Sequence, residues 1–398
     1  MQPLAPSLTI AFADLVERAH EEAFNARFPA KGTFHKLRRG GKEYWYHVMR
    51  DSTAPSGRRT SYAGLVGDTD VDALVERHGH EHARHKLQKE TASMLRRSGL
   101  PAPDPMEGKL TRAFQRAGLF QAGAVLVGSV AYQAYGGILG VKLSGELHRT
   151  QDIDLAHDRE IALHVGHTGQ KLEDFQDILK SVDESFTPRL NPSYPNAGPT
   201  RYENASNYKV DLLTAHKNSD RDRRVPVAIP IMPGTALQPL DLMEFLIRNP
   251  IRSALLYEDG VAVVVPDPVR YALHKVAISQ MQGLSGEAGK DTKDRMQAAE
   301  LVRAIGHAGR TSELAQAWSE LWRHKAKRRN FVLRGILALP DDAIEIIARS
   351  AIRYGEEPFR DDELPTVTLR KLIPRKAGGT LRTLPRMPGD NGVGLNLS

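Results

Sequence analysis

The chain has 398 residues, with 55 lysines and arginines against 48 aspartates and glutamates, a formal net charge of +7 and no cysteine. The lack of cysteine excludes a disulfide framework, a thiolate zinc site and a cysteine nucleophile. This length predicts two or three domains, and 40% hydrophobic residues can bury a substantial core. The excess of positive charge favours a polyanionic partner such as a nucleotide or RNA.

Charged residues occur throughout the first 30 positions, where Asp14, Glu17 and Arg18 interrupt the apolar pattern. No later segment approaches 18 consecutive apolar residues. The sequence therefore predicts neither a signal peptide nor a membrane-spanning helix. We expect a cytoplasmic protein with no membrane partner.

The N-terminal region predicts a small sheet combined with helices. A helical stretch over residues 8–24 precedes two strands that flank Arg39-Gly40-Gly41, and residues 58–65 can add a third strand. Residues 71–97 then turn helical, and prolines at positions 101, 103 and 105 interrupt the pattern. We place a boundary there, so that residues 1–104 form an N-terminal β-hairpin and helix module.

Residues 105–235 predict the central domain. A helix over 110–117 leads into a short apolar run, 123–127, which turns through Gly128 and Ser129 into a second helical stretch, 130–135. A glycine-rich loop is expected over 136–145. A strand over 150–156, a helix over 171–181 and a pair of strands over 199–203 and 208–215 follow.

The C-terminal third predicts helices, and we assign residues 236–355 to a C-terminal helical domain. After a strand-like hairpin over 253–265, helices are expected over 268–282, 292–305, 312–325 and 330–353. From residue 364 onward the chain has six lysines and arginines, one acid and many prolines and glycines. We therefore expect a basic, poorly ordered tail over 356–398.

Three aspartates stand out on the predicted strands of the central domain. Asp152 and Asp154 alternate with Ile153 and Leu155, which puts both carboxylates on one face of a strand, and Asp211 lies on a later strand. Three converging carboxylates repel each other, and a sheet tolerates them when divalent cations lie between them. Oxygen ligands favour Mg²⁺ or Mn²⁺, and two such ions roughly 3.5–4 Å apart support in-line phosphoryl displacement.

The turn at Gly128 and Ser129 supplies a complementary feature. A strand that turns through glycine into a helix presents backbone N–H groups and the positive helix end to an anion, and a serine hydroxyl can add a hydrogen bond. A triphosphate is the anion that we expect there.

In these motifs the chain resembles the polymerase-beta-like nucleotidyltransferase superfamily, with Gly-Ser at a strand-to-helix turn, Asp-x-Asp on the next strand and a third Asp later. The resemblance covers residues 110–215 and extends more loosely to about residue 305. In particular the chain looks like stand-alone prokaryotic members related to abortive-infection and toxin nucleotidyltransferases, because Arg149-Thr150-Gln151 precedes Asp152. The resemblance implies an α+β protein with a nucleotidyltransferase-fold mixed sheet core.

The resemblance also implies roles for individual residues. Asp152 and Asp154 would bind two Mg²⁺ or Mn²⁺ ions, and Asp211 would bind the catalytic ion and help to activate the acceptor hydroxyl. Nucleotide-binding residues would hold the nucleoside triphosphate substrate: Gly128 and Ser129 at its β- and γ-phosphates, Arg149 and Thr150 in the approach to Asp152, and Lys275, Lys290 and Lys293 as neutralising cations.

The resemblance implies transfer of a nucleoside monophosphate to an acceptor hydroxyl, with release of pyrophosphate. The basic charge favours RNA as the acceptor, with a tRNA end as one form of it, and a cognate antitoxin is a further candidate partner. A basic run, Arg323, Lys325, Lys327, Arg328 and Arg329, is interpreted as a nucleic-acid contact or as a solvated helix end. The alternative function is a catalytically inactive protein of this fold that binds nucleic acid or a partner protein.

Two further features admit a structural interpretation. His78, Glu81 and His82 match an inverted zinc-peptidase pattern, but Gly79 weakens the helix, and we favour a solvated, charged helix face. Trp45 alternates with Tyr44 and Tyr46, so it faces away from both tyrosines, and packing in the small sheet is favoured over base stacking.

Overall fold

The computed structural model describes residues 2–24, 31–39, 42–51, 57–145, 147, 150–158, 173–216, 225–229, 232–281, 289–322 and 326–354. Helices and a mixed sheet in these residues make an α+β protein, as predicted. Among the described residues, no helix is both long and apolar enough to cross a membrane. The predicted tail, 356–398, lies outside the described residues.

The N-terminal elements contain the predicted three-stranded sheet. The elements are β1 (Gln2–Pro3), α1 (Pro6–Phe24), β2 (Thr33–Arg39), β3 (Lys42–Arg50), β4 (Arg58–Leu65) and α2 (Thr69–Arg97), with β6 at Val141–Lys142. The sheet strands pair antiparallel in the order β2-β3-β4, and long helices precede and follow the sheet. The short β1 pairs with β6 from the central region.

The central sheet is mixed. Its strands are β5 (Ala124–Val127), β7 (Asp152–His157), β8 (Thr187–Arg189), β9 (Arg201–Glu203), β10 (Lys209–Ala215), β11 (Val227–Ala228) and β12 (Ala236–Leu240). They follow the order β11-β12-β10-β7-β5, and β9 pairs with β10 and β8. The pairs β7 with β10 and β10 with β12 are parallel, and β5 with β7 and β9 with β10 are antiparallel.

Helix α3 (Pro105–Arg116) begins five residues before the predicted start. Asp104 caps it, because its carboxylate accepts from the backbone N–H groups of Met106 and Glu107, and the Glu107 carboxylate accepts from the Asp104 backbone. Pro105 occupies the first helical position, where its fixed φ suits the helix and its missing N–H costs nothing. The last proline of the cluster therefore starts a helix instead of belonging to a linker.

The predicted glycine-rich loop over 136–145 is wrong for its first residues. Helix α4 (Gly128–Leu139) continues through Gly136 and Gly137 and ends at Gly140, whose φ is +65°. A β-carbon at Gly137 would lie 2.5 Å from Cδ2 of Phe12 on α1. Gly137 therefore allows α1 to approach α4 closely.

The C-terminal region is helical around a β13-β14 hairpin, with one correction. The single helix predicted over 330–353 is two helices, α10 and α11, because Pro340 cannot continue α10. The elements are α5 (Phe175–Lys180), α6 (Met243–Ile247), β13 (Ile251–Leu255), β14 (Val261–Val265), α7 (Pro268–Met281), α8 (Lys290–His307), α9 (Thr311–Trp322), α10 (Ala326–Leu337) and α11 (Asp341–Tyr354).

One large hydrophobic cluster extends from α3 through the central sheet to α11. A second cluster joins Phe12 and Leu15 of α1 to Ala92 and Leu95 of α2, and Ile138 of α4 packs against it. Helices α1 and α2 therefore pack on α4, whose Ile138 also contacts the large cluster around the central sheet. The domain boundaries at residues 104, 235 and 355 stay predictions.

Candidate active site

The three predicted aspartates share one face of the central sheet. Strands β7 and β10 are parallel, and Asp154 lies directly opposite Asp211, with Lys209 opposite Asp152. Along β7 the aspartates are half-buried and alternate with buried Ile153 and Leu155. The alternation therefore fixes all three carboxylates on the same side of two neighbouring strands.

The carboxyl group of Asp154 is the most strongly perturbed of the three. Burial, followed by the negative charges of Asp152 and Asp211, raises its pKa to about 7. The positive charges of Lys275 and Lys290 act in the opposite direction on the same pKa. The site thus combines desolvation with like charge, an arrangement common where proteins bind cations or move protons.

Asp211 is held by a cation from the neighbouring strand. Arg201 on β9 donates from Nε and Nη2 to the two carboxylate oxygens of Asp211, at 2.6 and 2.8 Å. The Thr150 hydroxyl donates to Asp152. Within the described residues, no three His, Asp or Glu side chains form a ready metal-binding group. Convergence of the three carboxylates within metal-bridging distance therefore stays a prediction.

Gly128 brings the backbone of the Gly-Ser turn against Asp154. Val127 pairs with Asp154 across β5 and β7, and Gly128 then begins α4 with a φ of +69°. A β-carbon at Gly128 would lie 2.2 Å from Oδ2 of Asp154. Only glycine allows this approach, and it places the start of α4, which includes Ser129, beside the aspartates.

Tyr271 of α7 supports the same turn from the helical region. Its hydroxyl donates to the carbonyl oxygen of Gly128 at 2.9 Å. The ring is fully buried and packs at 4.9 Å, centroid to centroid, against Tyr135 of α4. Burial raises the pKa of Tyr271 well above its usual range, so the hydroxyl keeps its proton as a donor.

The three predicted lysines lie on α7 and at the start of α8, and their environments differ. Lys275 is buried and forms an ion pair with Asp294, at 2.6 Å between Nζ and Oδ1. Burial, then the charge of Lys275, lowers the pKa of half-buried Lys293, while Asp152 acts against that shift. Lys290 is exposed and acts on the pKa of Asp154. The positive charges of all three therefore act on the aspartate cluster.

Helix α8 carries polar groups, buried at Gln297 and half-buried at Glu300, that the sequence interpretation did not identify. Gln297 donates from Nε2 to the carbonyl oxygen of Leu147 at 2.6 Å, and its Oε1 lies 3.2 Å from the Tyr271 hydroxyl. Glu300 accepts from the backbone and hydroxyl of Ser144, at 2.9 and 2.7 Å. Spacing of three residues from Asp294 to Gln297 to Glu300 puts them on one helix face, a signal present in the sequence.

Several predicted site residues fall where their side chains are not described. Arg149, Arg323 and Lys325 lie outside the described residues. The backbone of Lys327, Arg328 and Arg329 lies in the first turn of α10, so this part of the basic run is at the beginning of a helix. Their nucleic-acid role stays a prediction.

The histidine cluster contributes to packing. His78 is 5% exposed, and its ring lies 4.7 Å from Phe34 and 5.1 Å from His47, so the expected solvated face is wrong at this position. His85 Nδ1 lies 2.7 Å from Oδ2 of Asp259 in the β13-β14 turn. Asp259 also pairs with Arg112 of α3, so this buried cluster joins three elements.

A cavity of about 580 Å³ lies apart from the aspartates. Residues of α3, the end of α5 and the β13-β14 turn line it, including Lys109, Arg112 and Glu258. None of the predicted site residues contributes to this lining.

A mixed sheet that carries aspartates beside a Gly-Ser turn at a helix N-terminus is typical of proteins that act on phosphorylated substrates. Residues 106–323 match a family model described as "Nucleotidyltransferase", which is more than half of the chain. The chain therefore belongs to this nucleotidyltransferase family and is a transferase that uses a nucleotide substrate. Neither the search of curated proteins nor the search of solved structures gives a match.

Proposed function

We propose that this enzyme transfers a nucleoside monophosphate from a nucleoside triphosphate to a hydroxyl of RNA and releases pyrophosphate. The observation that carries the proposal is the pairing of Asp154 with Asp211 on adjacent parallel strands, directly beside the Gly128 turn. In this proposal the core is a nucleotidyltransferase fold over 105–235, preceded by an N-terminal module and followed by a helical domain over 236–355.

The aspartates fit divalent cations of the Mg²⁺ or Mn²⁺ type. All the donors are carboxylate oxygens, and the pKa of Asp154 near 7 reflects buried negative charge that a cation would relieve. Asp152, Asp154 and Asp211 would hold two such ions. When bound, these ions supply charge stabilisation to the attacking and leaving oxygens of an in-line displacement.

The remaining groups would bind the triphosphate. Backbone N–H groups at Gly128 and Ser129, at the start of α4, would donate to phosphate oxygens, helped by the positive end of the helix. Lys290 and Lys293 would add positive charge, and Lys275 would add its charge from the buried pair with Asp294. Arg149 and Thr150 complete the proposed nucleotide-binding set.

Asp211 would accept the proton of the attacking hydroxyl. For that role its carboxylate has to exchange at least one of the hydrogen bonds that Arg201 donates. Arg201 would then be available to the phosphate or to the acceptor. The half-exposed position of Arg201 is compatible with such an exchange, because an exposed ion pair contributes little free energy.

RNA is the proposed acceptor because of the formal charge of +7 and the basic run at Arg323, Lys325, Lys327, Arg328 and Arg329. A tRNA end is the form that we favour. A relationship with abortive-infection and toxin nucleotidyltransferases, and with it a cognate antitoxin, belongs to the same proposal.

A transfer assay tests the proposal. Purified protein is incubated with each of four α-labelled triphosphates and total RNA, with and without Mg²⁺, and the label is followed into RNA or protein. We expect Asp154→Ala to abolish transfer to RNA and to leave the protein folded. Asp177→Ala, which removes an exposed carboxylate of α5, is the matched control. Wild-type turnover by Asp154→Ala, or label only in protein, would contradict the proposal.

A further inference from the structure

The three-stranded sheet β2-β3-β4 is strongly basic. Its strands contain seven lysines and arginines and one acid, Glu43. The sheet lies outside the family match, which begins at residue 106, and none of its described residues is among the contacts given above for the aspartates. We therefore consider a separate binding function for the β2-β3-β4 sheet.

One face of this sheet packs on α2. Trp45 donates from Nε1 to Asp72 at 2.8 Å, and the rings of Phe34 and His47 contact His78. Phe34 and His47 are register partners, and Trp45 lies two residues from His47 along β3. The face that packs on α2 is called the inner face, and its aromatic side chains contribute to that packing.

The opposite face presents aromatic and basic side chains outward. Alternation along β3 puts Tyr44, Tyr46 and Arg50 on this side, because Trp45 and His47 face inward. The register places His35 beside Tyr46 and Arg58 beside Arg50. His35, Arg50 and Arg58 are exposed, and the two tyrosines are half-buried.

The charge on this outer face has a single sign. Among its described side chains, the charged ones are Arg50 and Arg58, and none is acidic, since Glu43 pairs with Arg38 on the inner side. Single strands of nucleic acid bind surfaces that combine positive charge with aromatic rings, because phosphates need cations and bases stack on the rings. A duplex offers no unstacked bases to such a surface.

We propose that the outer face of β2-β3-β4 binds a single-stranded segment of RNA, with Tyr46 as a stacking residue and Arg50 and Arg58 as phosphate contacts. The proposal deepens the proposed function and rests on its RNA acceptor. It separates RNA docking on the sheet from the chemistry at the aspartates.

Fluorescence anisotropy tests the proposal with the full chain, no triphosphate and a labelled 20-nucleotide single-stranded RNA of mixed sequence. We expect Tyr46→Leu to weaken binding about tenfold, and Tyr46→Phe to bind within about twofold of wild type, since a phenyl ring still stacks. Arg50→Gln with Arg58→Gln should reduce the slope of log Kd against log salt by about 0.7 for each lost phosphate contact. Lys86→Gln with Lys89→Gln, two exposed lysines of α2, removes the same charge elsewhere and should keep the wild-type slope.

The outcomes distinguish this proposal from the proposed function. If the sheet variants bind the single strand as wild type does, or if a duplex of the same sequence binds more tightly, docking on the sheet is overturned. The transfer assay is unaffected by either result, because label in RNA that depends on Asp154 supports the proposed function independently. RNA binding that depends on salt but is unchanged in Tyr46→Leu would show contact through charge without base stacking, which also overturns the proposal.

Discussion

Arg201 and Asp211 face each other across β9 and β10, and the guanidinium donates two hydrogen bonds to the carboxylate at 2.6 and 2.8 Å. The hydrogen bonds that Arg201 donates to Asp211 raise the pKa of Arg201 further above its usual range, so this cation is permanent. An arginine in this position competes with any divalent cation for the same two oxygens.

We expect Arg201→Ala to lower the Mg²⁺ concentration that gives half-maximal transfer. The change should be at most about fivefold, because a half-exposed ion pair contributes about 0.2–1 kcal/mol. A Mg²⁺ titration of the transfer rate measures it. Arg189→Ala breaks the comparable 2.8 Å pair with Glu203 on β8 and β9 and serves as the control. A half-maximal concentration that rises in Arg201→Ala would show that Arg201 assists metal binding instead.

Gly128→Ala and Gly140→Ala form a matched pair of substitutions. Both glycines have a positive φ, +69° and +65°, so each alanine should cost about 1–2 kcal/mol of backbone strain. Only at Gly128 does the new β-carbon meet Asp154, at 2.2 Å, while at Gly140 the nearest atom is 3.3 Å away on Thr9. Denaturant unfolding should show a similar loss of stability in the two variants. Transfer assays should show lost activity in Gly128→Ala alone. Equal activity in the two variants would remove Gly128 from the site.

The ion pair of Lys275 with Asp294 is buried, with side chains 8% and 2% exposed. Asp294→Ala leaves a buried ammonium group without its counterion, and we expect it to lower the free energy of unfolding by about 3–5 kcal/mol. Lys275→Met combined with Asp294→Leu should recover most of that loss, since neither charge remains buried. Guanidinium unfolding of the single and double variants gives the comparison. A double variant as unstable as Asp294→Ala would contradict the assignment of the loss to unpaired charge.

Glu107 should make stability depend on pH. Burial, opposed by the hydrogen bond from Gln133, raises its pKa to about 7 from a usual value of 4.5. The folded protein therefore binds this proton more tightly than the unfolded chain, and stability falls as pH rises from about 4.5 to about 7. The loss over this window should be about 3 kcal/mol.

Glu107→Gln isolates that effect. Glutamine keeps a carbonyl oxygen for the Asp104 backbone but cannot ionise, so the unfolding free energy of this variant should fall less with pH than that of the wild type. Unfolding at a series of pH values measures the difference. Parallel curves for the two proteins would assign the pH dependence to another group.

Many helices and strands could be predicted from the sequence, because hydrophobic periodicity and turn residues depend only on positions close together in the chain. The hairpin of β2 and β3 and the alternation along β7 follow from period-two hydrophobicity, and the structure contains them. The start of α3 was missed although Asp104 and Glu107 have the spacing of a capping box. Pro340 likewise marks the break between α10 and α11, which composition alone did not resolve.

Residues adjacent in the chain are enough to predict that three aspartates occupy strand faces and that a Gly-Ser turn precedes them. The three-dimensional arrangement is needed to place Asp154 opposite Asp211, Arg201 against Asp211, and Asp294 against Lys275. It also shows that Gly137 lies within a helix, where its lack of a side chain leaves room for Phe12 from a distant helix. Those relationships join residues far apart in the chain, and strand order and close packing set them.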